Sequence, residues 1–152
     1  TPWAWVALLG GLLLAAALTA GWALGRRRES RRNWRALAAR AGAEGMTIHD
    51  MALTTAVGSA SANQPAEWTD SAARAGALAD ELRRIEHSAP TTDDARTAAT
   101  AAVAVDDVGS AMEVASAAPE GVPLDDHMAQ MLLARLDEMS AALAPLREGD
   151  VG

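Results

Sequence analysis

The chain has 152 residues, a length typical of one domain, and 13 basic against 20 acidic residues give it a net charge of −7. It contains no cysteine, which excludes a disulfide framework, a thiolate zinc site and thiol catalysis. Charge is unevenly distributed: residues 1–25 carry none, residues 26–35 hold six Arg and one Glu, and residues 36–152 hold seven Arg and nineteen acids. The acidic body disfavours nucleic-acid binding, which needs a basic surface to neutralise phosphates.

The first element is an uncharged run over residues 2–25. At about 1.5 Å of rise per residue it forms a helix of about 36 Å, enough to cross a hydrocarbon core of about 30 Å. Trp3 and Trp5 lie near one end and Trp22 near the other, as in the aromatic belts of membrane proteins. We interpret the run as a transmembrane helix rather than a buried core helix. A cleaved secretory signal is disfavoured because the basic residues follow the run instead of preceding it.

An arginine collar follows the apolar run: Arg26, Arg27, Arg28, Arg31, Arg32 and Arg35. By the positive-inside rule, the collar predicts a plasma-membrane protein with its N-terminus outside and its body in the cytoplasm. The collar is expected to attract anionic lipids at the cytoplasmic face, at roughly 1 kcal/mol per residue. Two further interpretations are a specific lipid site and a salt-bridge surface for an acidic partner.

Small residues recur at four-residue spacing within the predicted span, at Ala17, Gly21 and Gly25. This spacing permits close approach of a second helix, and Gly21 and Gly25 fit the GxxxG pattern. We therefore predict that this face docks on another membrane helix. The span has no ionisable side chain and thus no group for a proton relay or an ion path.

The remaining chain predicts an all-α body, because helix formers dominate and no long stretch alternates apolar and polar residues. The collar helix is expected to break at residues 42–45, and Thr47 with Asp50 resembles a capping box that starts a short helix near Ile48. A third helix is expected from Pro65 to residues 87–88. A fourth is expected from a cap at Thr91 or Thr92 to about residue 117, and a fifth from Pro123 to about residue 144, limited by Pro145.

These helices predict a cytoplasmic up-and-down bundle of three to four members, joined by short loops. The expected organisation is a transmembrane helix over 1–25, a basic juxtamembrane helix and break over 26–45, a bundle over 46–146 and a polar tail over 147–152. Apolar stripes define the predicted core: Trp68, Ala72, Ala75, Leu78, Leu82 and Ile85; Ala98, Ala102, Val105, Val108 and Met112; and Leu124, Met128, Leu132, Leu136, Met139, Leu143 and Leu146.

Residues with catalytic chemistry are few and scattered. His49, His87 and His127 each lie beside an acid, but adjacent helical residues point about 100° apart, and no metal-ligand spacing occurs. No lysine is present, which removes a P-loop and a Schiff-base lysine. We predict no enzyme activity, no cofactor, no metal and no small-molecule substrate.

The anchor over 2–25, the arginine collar and the Ala- and Arg-rich helical body together resemble the small single-pass accessory subunits of actinobacterial respiratory assemblies, such as the association factors of bcc–aa3 supercomplexes. The resemblance implies a non-catalytic accessory or assembly subunit that associates with multispanning membrane subunits and stabilises an electron-transfer complex. It implies no functional residue in this chain. The alternatives are a membrane-tethered helical scaffold or regulator that binds a soluble partner, and a self-associating oligomer.

Overall fold

A computed structural model describes residues 2–58 and 64–148 and, within those ranges, contains helices and no strand. The predicted all-α fold is confirmed. The four helices are α1 (Pro2–Val57), α2 (Gln64–His87), α3 (Thr92–Ser116) and α4 (Asp126–Glu148). The chain divides into two compact units, Thr1–Asn33 and Trp34–Gly152, and α1 contributes residues to both.

The second unit is a four-helix bundle in which α1 residues from Trp34 onward pack beside α2. The Trp34 indole Nε1 donates to the carbonyl oxygen of Ile85, and the Gln64 side-chain amide donates to the carbonyl oxygen of Thr55. The start of the α1 portion therefore meets the end of α2, and its end meets the start of α2, so the two run antiparallel.

The remaining neighbours are also antiparallel. On α2 and α3, Arg83 pairs with Asp106 at 2.8 Å, whereas Ala75, earlier on α2, lies beside Gly109, later on α3. Helix α4 packs beside α3, where Arg135 lies 3.9 Å from Asp107. It also contacts α1, because Gly42 lies against residues 146–147 and Gly45 lies against Leu143. The predicted up-and-down bundle is confirmed, with the cyclic order α1, α2, α3, α4.

The core consists of the predicted stripes together with residues of α1. All predicted residues of α2 and α3 are buried, as are those of α4 from Leu132 onward, whereas Leu124 and Met128 are only partly buried. The α1 contribution is Trp34, Ala38, Ala41, Ile48 and Ala52. Small residues at these positions allow close helix packing, with Trp68 and leucines filling the larger spaces.

The predicted helix break at residues 42–45 is wrong, and so is the new start at Thr47. Helix α1 continues through both, and the Thr47 hydroxyl donates to the carbonyl oxygen of Ala43, one turn back. Tertiary packing explains the difference, because Gly42 and Gly45 lie against residues of α4, where an added Cβ would overlap a side chain. Residues 34–45, predicted to precede the bundle, therefore form part of it.

Both predicted limits of α4 are also displaced. The helix begins at Asp126 rather than Pro123, because the Asp125 carboxylate accepts from the backbone N–H of Met128 at 2.7 Å and acts as the N-cap. It continues past Pro145 to Glu148, into the predicted polar tail, because Leu146 is held in the core. The Thr91 alternative for the α3 cap is confirmed, since its hydroxyl oxygen accepts from the N–H of Asp94.

Candidate functional site

The largest exposed apolar surface of the described residues covers the start of α1. Every side chain over residues 3–25 is exposed, and Trp3, Leu13 and Leu18 are 86%, 70% and 66% accessible. Among the described residues, α1 is the one helix long and apolar enough to cross a membrane. Monomeric soluble proteins rarely expose large contiguous apolar patches, and such patches are typical of membrane or protein contacts.

Aromatic side chains mark both ends of this apolar surface. Trp3 and Trp5 lie at one end, and Trp22 lies one turn before the arginine collar. The Arg26 guanidinium carbon is 4.5 Å from the centre of a Trp22 ring. This cation–π contact joins the last aromatic residue of the segment to its first charge, a pairing suited to a membrane interface.

The small-residue face at Ala17, Gly21 and Gly25 is fully open. All three residues are exposed, and a Cβ placed on Gly21 or Gly25 would meet nothing within 4 Å. The only hydroxyl nearby, that of Thr19, donates to the carbonyl oxygen of Ala15 within the helix. The face therefore has room for the backbone of a second helix and presents no polar group of its own.

The collar arginines form no ion pair within the described residues. Arg26, Arg27, Arg28, Arg31, Arg32 and Arg35 are all exposed. No acid in ranges 2–58 and 64–148 forms an ion pair with any of them, and this includes Glu29 within the same segment. The collar is therefore available to an anion outside the chain.

The bundle surface differs from the collar, because Arg74, Arg83, Arg84, Arg96 and Arg135 form ion pairs with its acids. Arg83 lies 3.0 Å from Asp80 and 2.8 Å from Asp106, and the hydrogen bond and attraction of Asp106, followed by those of Asp80, raise the pKa of the arginine. Arg135 similarly contacts Glu138 on its own helix. These exposed pairs link or brace helices and contribute modestly to stability.

The histidines remain separate from one another. His49 Nδ1 lies 3.0 Å from a carboxylate oxygen of the adjacent Asp50, and His87 Nδ1 donates to the carbonyl oxygen of Arg83 at 2.7 Å. His127 is exposed in the first turn of α4. Within the part of the chain that the structure describes, no three His, Asp or Glu residues come close enough to hold a metal ion.

Three features of the bundle escaped prediction from sequence. Gly42 and Gly45 form a close contact with α4, Trp34 hydrogen-bonds across helices, and Trp68 is buried with no described hydrogen-bond partner for its Nε1.

A groove of about 600 Å³ lies between α1 and α2 and is lined by Asp50, Met51, Thr54, Thr55, Gly58, Gln64, Glu67, Asp70 and Ser71. No sequence motif indicated this groove, because its lining comes from two helices whose pairing is a tertiary property.

Comparisons with known proteins give no relative from which a role could be transferred. The chain matches no protein-family profile, no curated protein and no solved structure. The functional argument therefore depends on the exposed apolar segment, the collar and the bundle themselves.

Proposed function

We propose that this chain is a single-pass membrane protein that acts as a non-catalytic accessory or assembly subunit of a larger membrane complex. Its apolar segment over residues 3–25 crosses the bilayer, and its helical bundle lies in the cytoplasm. The observation that carries the proposal is the exposure of this whole segment directly before six arginines that form no ion pair within residues 2–58 and 64–148.

The energetics favour insertion. Transfer of one exposed Leu side chain out of water is worth roughly 1.5–3 kcal/mol, and the segment exposes Leu8, Leu9, Leu12, Leu13, Leu14, Leu18 and Leu24. Each collar arginine adds about 1 kcal/mol of attraction to an anionic leaflet. The same arginines resist passage across the bilayer, which gives the proposed orientation with the bundle inside.

The accessory role is supported by two properties of the apolar segment. The open face at Ala17, Gly21 and Gly25 admits a second helix closely, and the apolar segment carries no ionisable group. We propose multispanning subunits as the partners of this face. The architectural resemblance makes a respiratory electron-transfer supercomplex the finer form of the proposal, with any haem or copper held by other subunits.

The tethered scaffold is the alternative role. It requires an apolar stripe left exposed on the bundle, and the sequence predicts this stripe on the wide apolar face from Met128 to Leu146. Leu132, Leu136 and Met139 are buried in the core, so only Met131 and Leu133, at 37% and 39%, retain moderate exposure on this helix among its large apolar residues. This distribution disfavours docking through the wide apolar face of α4.

Complex formation is tested by extraction in mild detergent, native gel electrophoresis and mass spectrometry of the co-migrating band. We expect multispanning subunits to accompany the chain, and oxidase or cytochrome subunits if the respiratory form is right. Gly21→Leu with Gly25→Leu should release the chain, since two large side chains block the close approach. Ala16→Leu with Ala20→Leu, at the same spacing on another face, is the matched control. A monomer or a homo-oligomer alone would refute the accessory role.

A further inference from the structure

The collar arginines and the later arginines of the chain differ in their ion pairs. Of the seven arginines after the collar, Arg74, Arg83, Arg84, Arg96 and Arg135 form ion pairs with acids of the chain. No collar arginine does so with any residue of 2–58 or 64–148. Glu29 is the one acid within residues 26–35, so carboxylates are scarce beside the collar and plentiful around the later arginines.

The collar arginines are also grouped on one side of their helix. Arg27 and Arg31, and likewise Arg28 and Arg32, are separated by four residues, and at 3.6 residues per turn these four span an arc of roughly 140°. Arg35 lies in the same arc, one turn after Arg31, but belongs to the bundle unit. Glu29 lies outside the arc, and Arg26 turns to the Trp22 ring. We call Arg27, Arg28, Arg31 and Arg32 the arginine face.

This grouping exceeds what topology requires. A positive-inside signal depends on the number of basic residues near the span and works equally well with charges around the whole helix. Like charges four residues apart destabilise a helix, and here two such pairs lie side by side. An anion bound between them removes that repulsion, and guanidinium groups bind phosphate oxygens in bidentate fashion.

We propose that the arginine face binds the headgroup of a phospholipid that carries two phosphates, in preference to singly charged headgroups. The proposal rests on the proposed membrane insertion of residues 3–25. Two i,i+4 arginine pairs, with Cβ atoms about 5–6 Å apart within each pair, can contact two neighbouring phosphates at once. A headgroup with a single phosphate contacts only one of the two arginine pairs.

Depth in the membrane identifies a lipid as the occupant. Residues 27–32 span about 7.5 Å along the helix and begin directly after the apolar segment. The polar layer on each side of a bilayer is about 5–7 Å thick, so the arginine face coincides with the level of the lipid phosphates. An acidic segment of another protein would have to displace those phosphates to reach it.

Native mass spectrometry of the full chain, released from micelles doped with defined lipids, tests the preference. The probes are cardiolipin, with two phosphates, and phosphatidylglycerol at twice the molar amount, which matches the total charge. We expect about tenfold greater retention of cardiolipin, as an additional charge-assisted contact would give. The variant Arg27→Gln, Arg28→Gln, Arg31→Gln, Arg32→Gln should lose that preference. Arg40→Gln, Arg84→Gln, Arg96→Gln, Arg147→Gln, with the same charge change, should keep it.

Several outcomes would overturn the proposal. Equal retention of the two lipids, or equal loss in both quadruple variants, would mean that the face responds only to net charge. Displacement of cardiolipin by soluble pyrophosphate would identify a free diphosphate rather than a lipid as the ligand. An acidic protein that co-purifies with the wild type and is lost from the arginine-face variant, with no lipid preference, would identify a protein partner.

Alkaline carbonate extraction of membranes from the same cells separates this inference from the proposed function. Release of the wild-type chain by carbonate would refute membrane insertion itself. Retention of the wild-type chain and of both quadruple variants, with no cardiolipin preference in the wild type, would refute only the arginine-face proposal.

Discussion

The indole Nε1 of Trp34 donates a hydrogen bond of 2.9 Å to the carbonyl oxygen of Ile85, across 51 residues of sequence. Ile85 lies in the last turn of α2, where carbonyl groups have no partner within the helix. Trp34 is the first residue of the bundle unit and is only 7% exposed, so a single side chain both fills the core and completes the end of α2.

Substitution of Trp34 should separate these two contributions. Trp34→Phe should cost about 1 kcal/mol, because it removes the hydrogen bond while Ser88 still donates to the same carbonyl. Trp34→Ala should cost about 3–5 kcal/mol, because it also leaves a cavity. Denaturant unfolding of the full chain in detergent micelles, followed by circular dichroism, measures both. Trp22→Phe, outside the bundle, should leave the transition unchanged.

The glycines of α1 should respond differently to alanine. A Cβ on Gly45 would overlap the fully buried side chain of Leu143, so Gly45→Ala should destabilise the bundle by about 1–3 kcal/mol. A Cβ on Gly42 meets mainly the exposed side chain of Arg147, which can move, so Gly42→Ala should be nearly neutral. The control is Gly76 of α2, where an added Cβ would meet nothing within 4 Å, so Gly76→Ala should stabilise the bundle by up to about 1 kcal/mol. Equal effects at all three would contradict the close approach of α1 and α4.

Sequence patterns predicted the buried faces better than the ends of the helices. The stripe from Leu132 to Leu146 repeats every three or four residues, and that periodicity is a local property of one helix. The glycines at 42 and 45 give the local signal of a break, yet they allow close contact with a helix about 100 residues later in the chain. Pro145 gives the signal of an end, yet the burial of Leu146 favours one further turn. Tertiary contacts decided each of these cases.

The N-cap of α3 can be distinguished from its neighbour by mutation. Thr91→Ala should cost about 1 kcal/mol, because the N–H of Asp94 loses its acceptor. Thr91→Ser should restore most of that stability. Thr92→Ala, at the first helical residue, should have little effect. Thermal unfolding of the full chain measures all three variants. A larger loss of stability in Thr92→Ala than in Thr91→Ala would contradict the assignment of Thr91 as the N-cap.

The ion pair between α2 and α3 should give a small effect that depends on salt. Asp106→Asn should lower the unfolding midpoint more than Asp80→Asn, since Asp106 contributes most to the raised pKa of Arg83. The difference should disappear in molar salt, because both partners are exposed. A raised arginine pKa stabilises the folded state until pH rises through the range where arginine loses its proton. Arg83 should therefore add no pH dependence between about pH 5 and 9, a range far below the arginine pKa.

The sequence also predicted the components of the candidate site better than their arrangement. The length of the apolar run and the six arginines are visible in the residues themselves, as is the spacing of Gly21 and Gly25. The contact between Arg26 and Trp22 and the lack of described acidic partners for the collar depend on side-chain placement. The sequence predicts one collar of six arginines, and the structure adds that Arg26 contacts the Trp22 ring.

Cysteine accessibility tests the central claim most directly, since the natural chain has no cysteine to interfere. Ser110→Cys places a thiol at an exposed position of α3, and Thr1→Cys places one ahead of the apolar segment in the sequence. A membrane-impermeant maleimide should label the Ser110→Cys variant only after the cells are permeabilised, and should label the Thr1→Cys variant in intact cells. Carbonate-washed membranes should retain both variants. Labelling of the Ser110→Cys variant in intact cells, or release of the chain by carbonate, would contradict a cytoplasmic bundle anchored by a transmembrane helix.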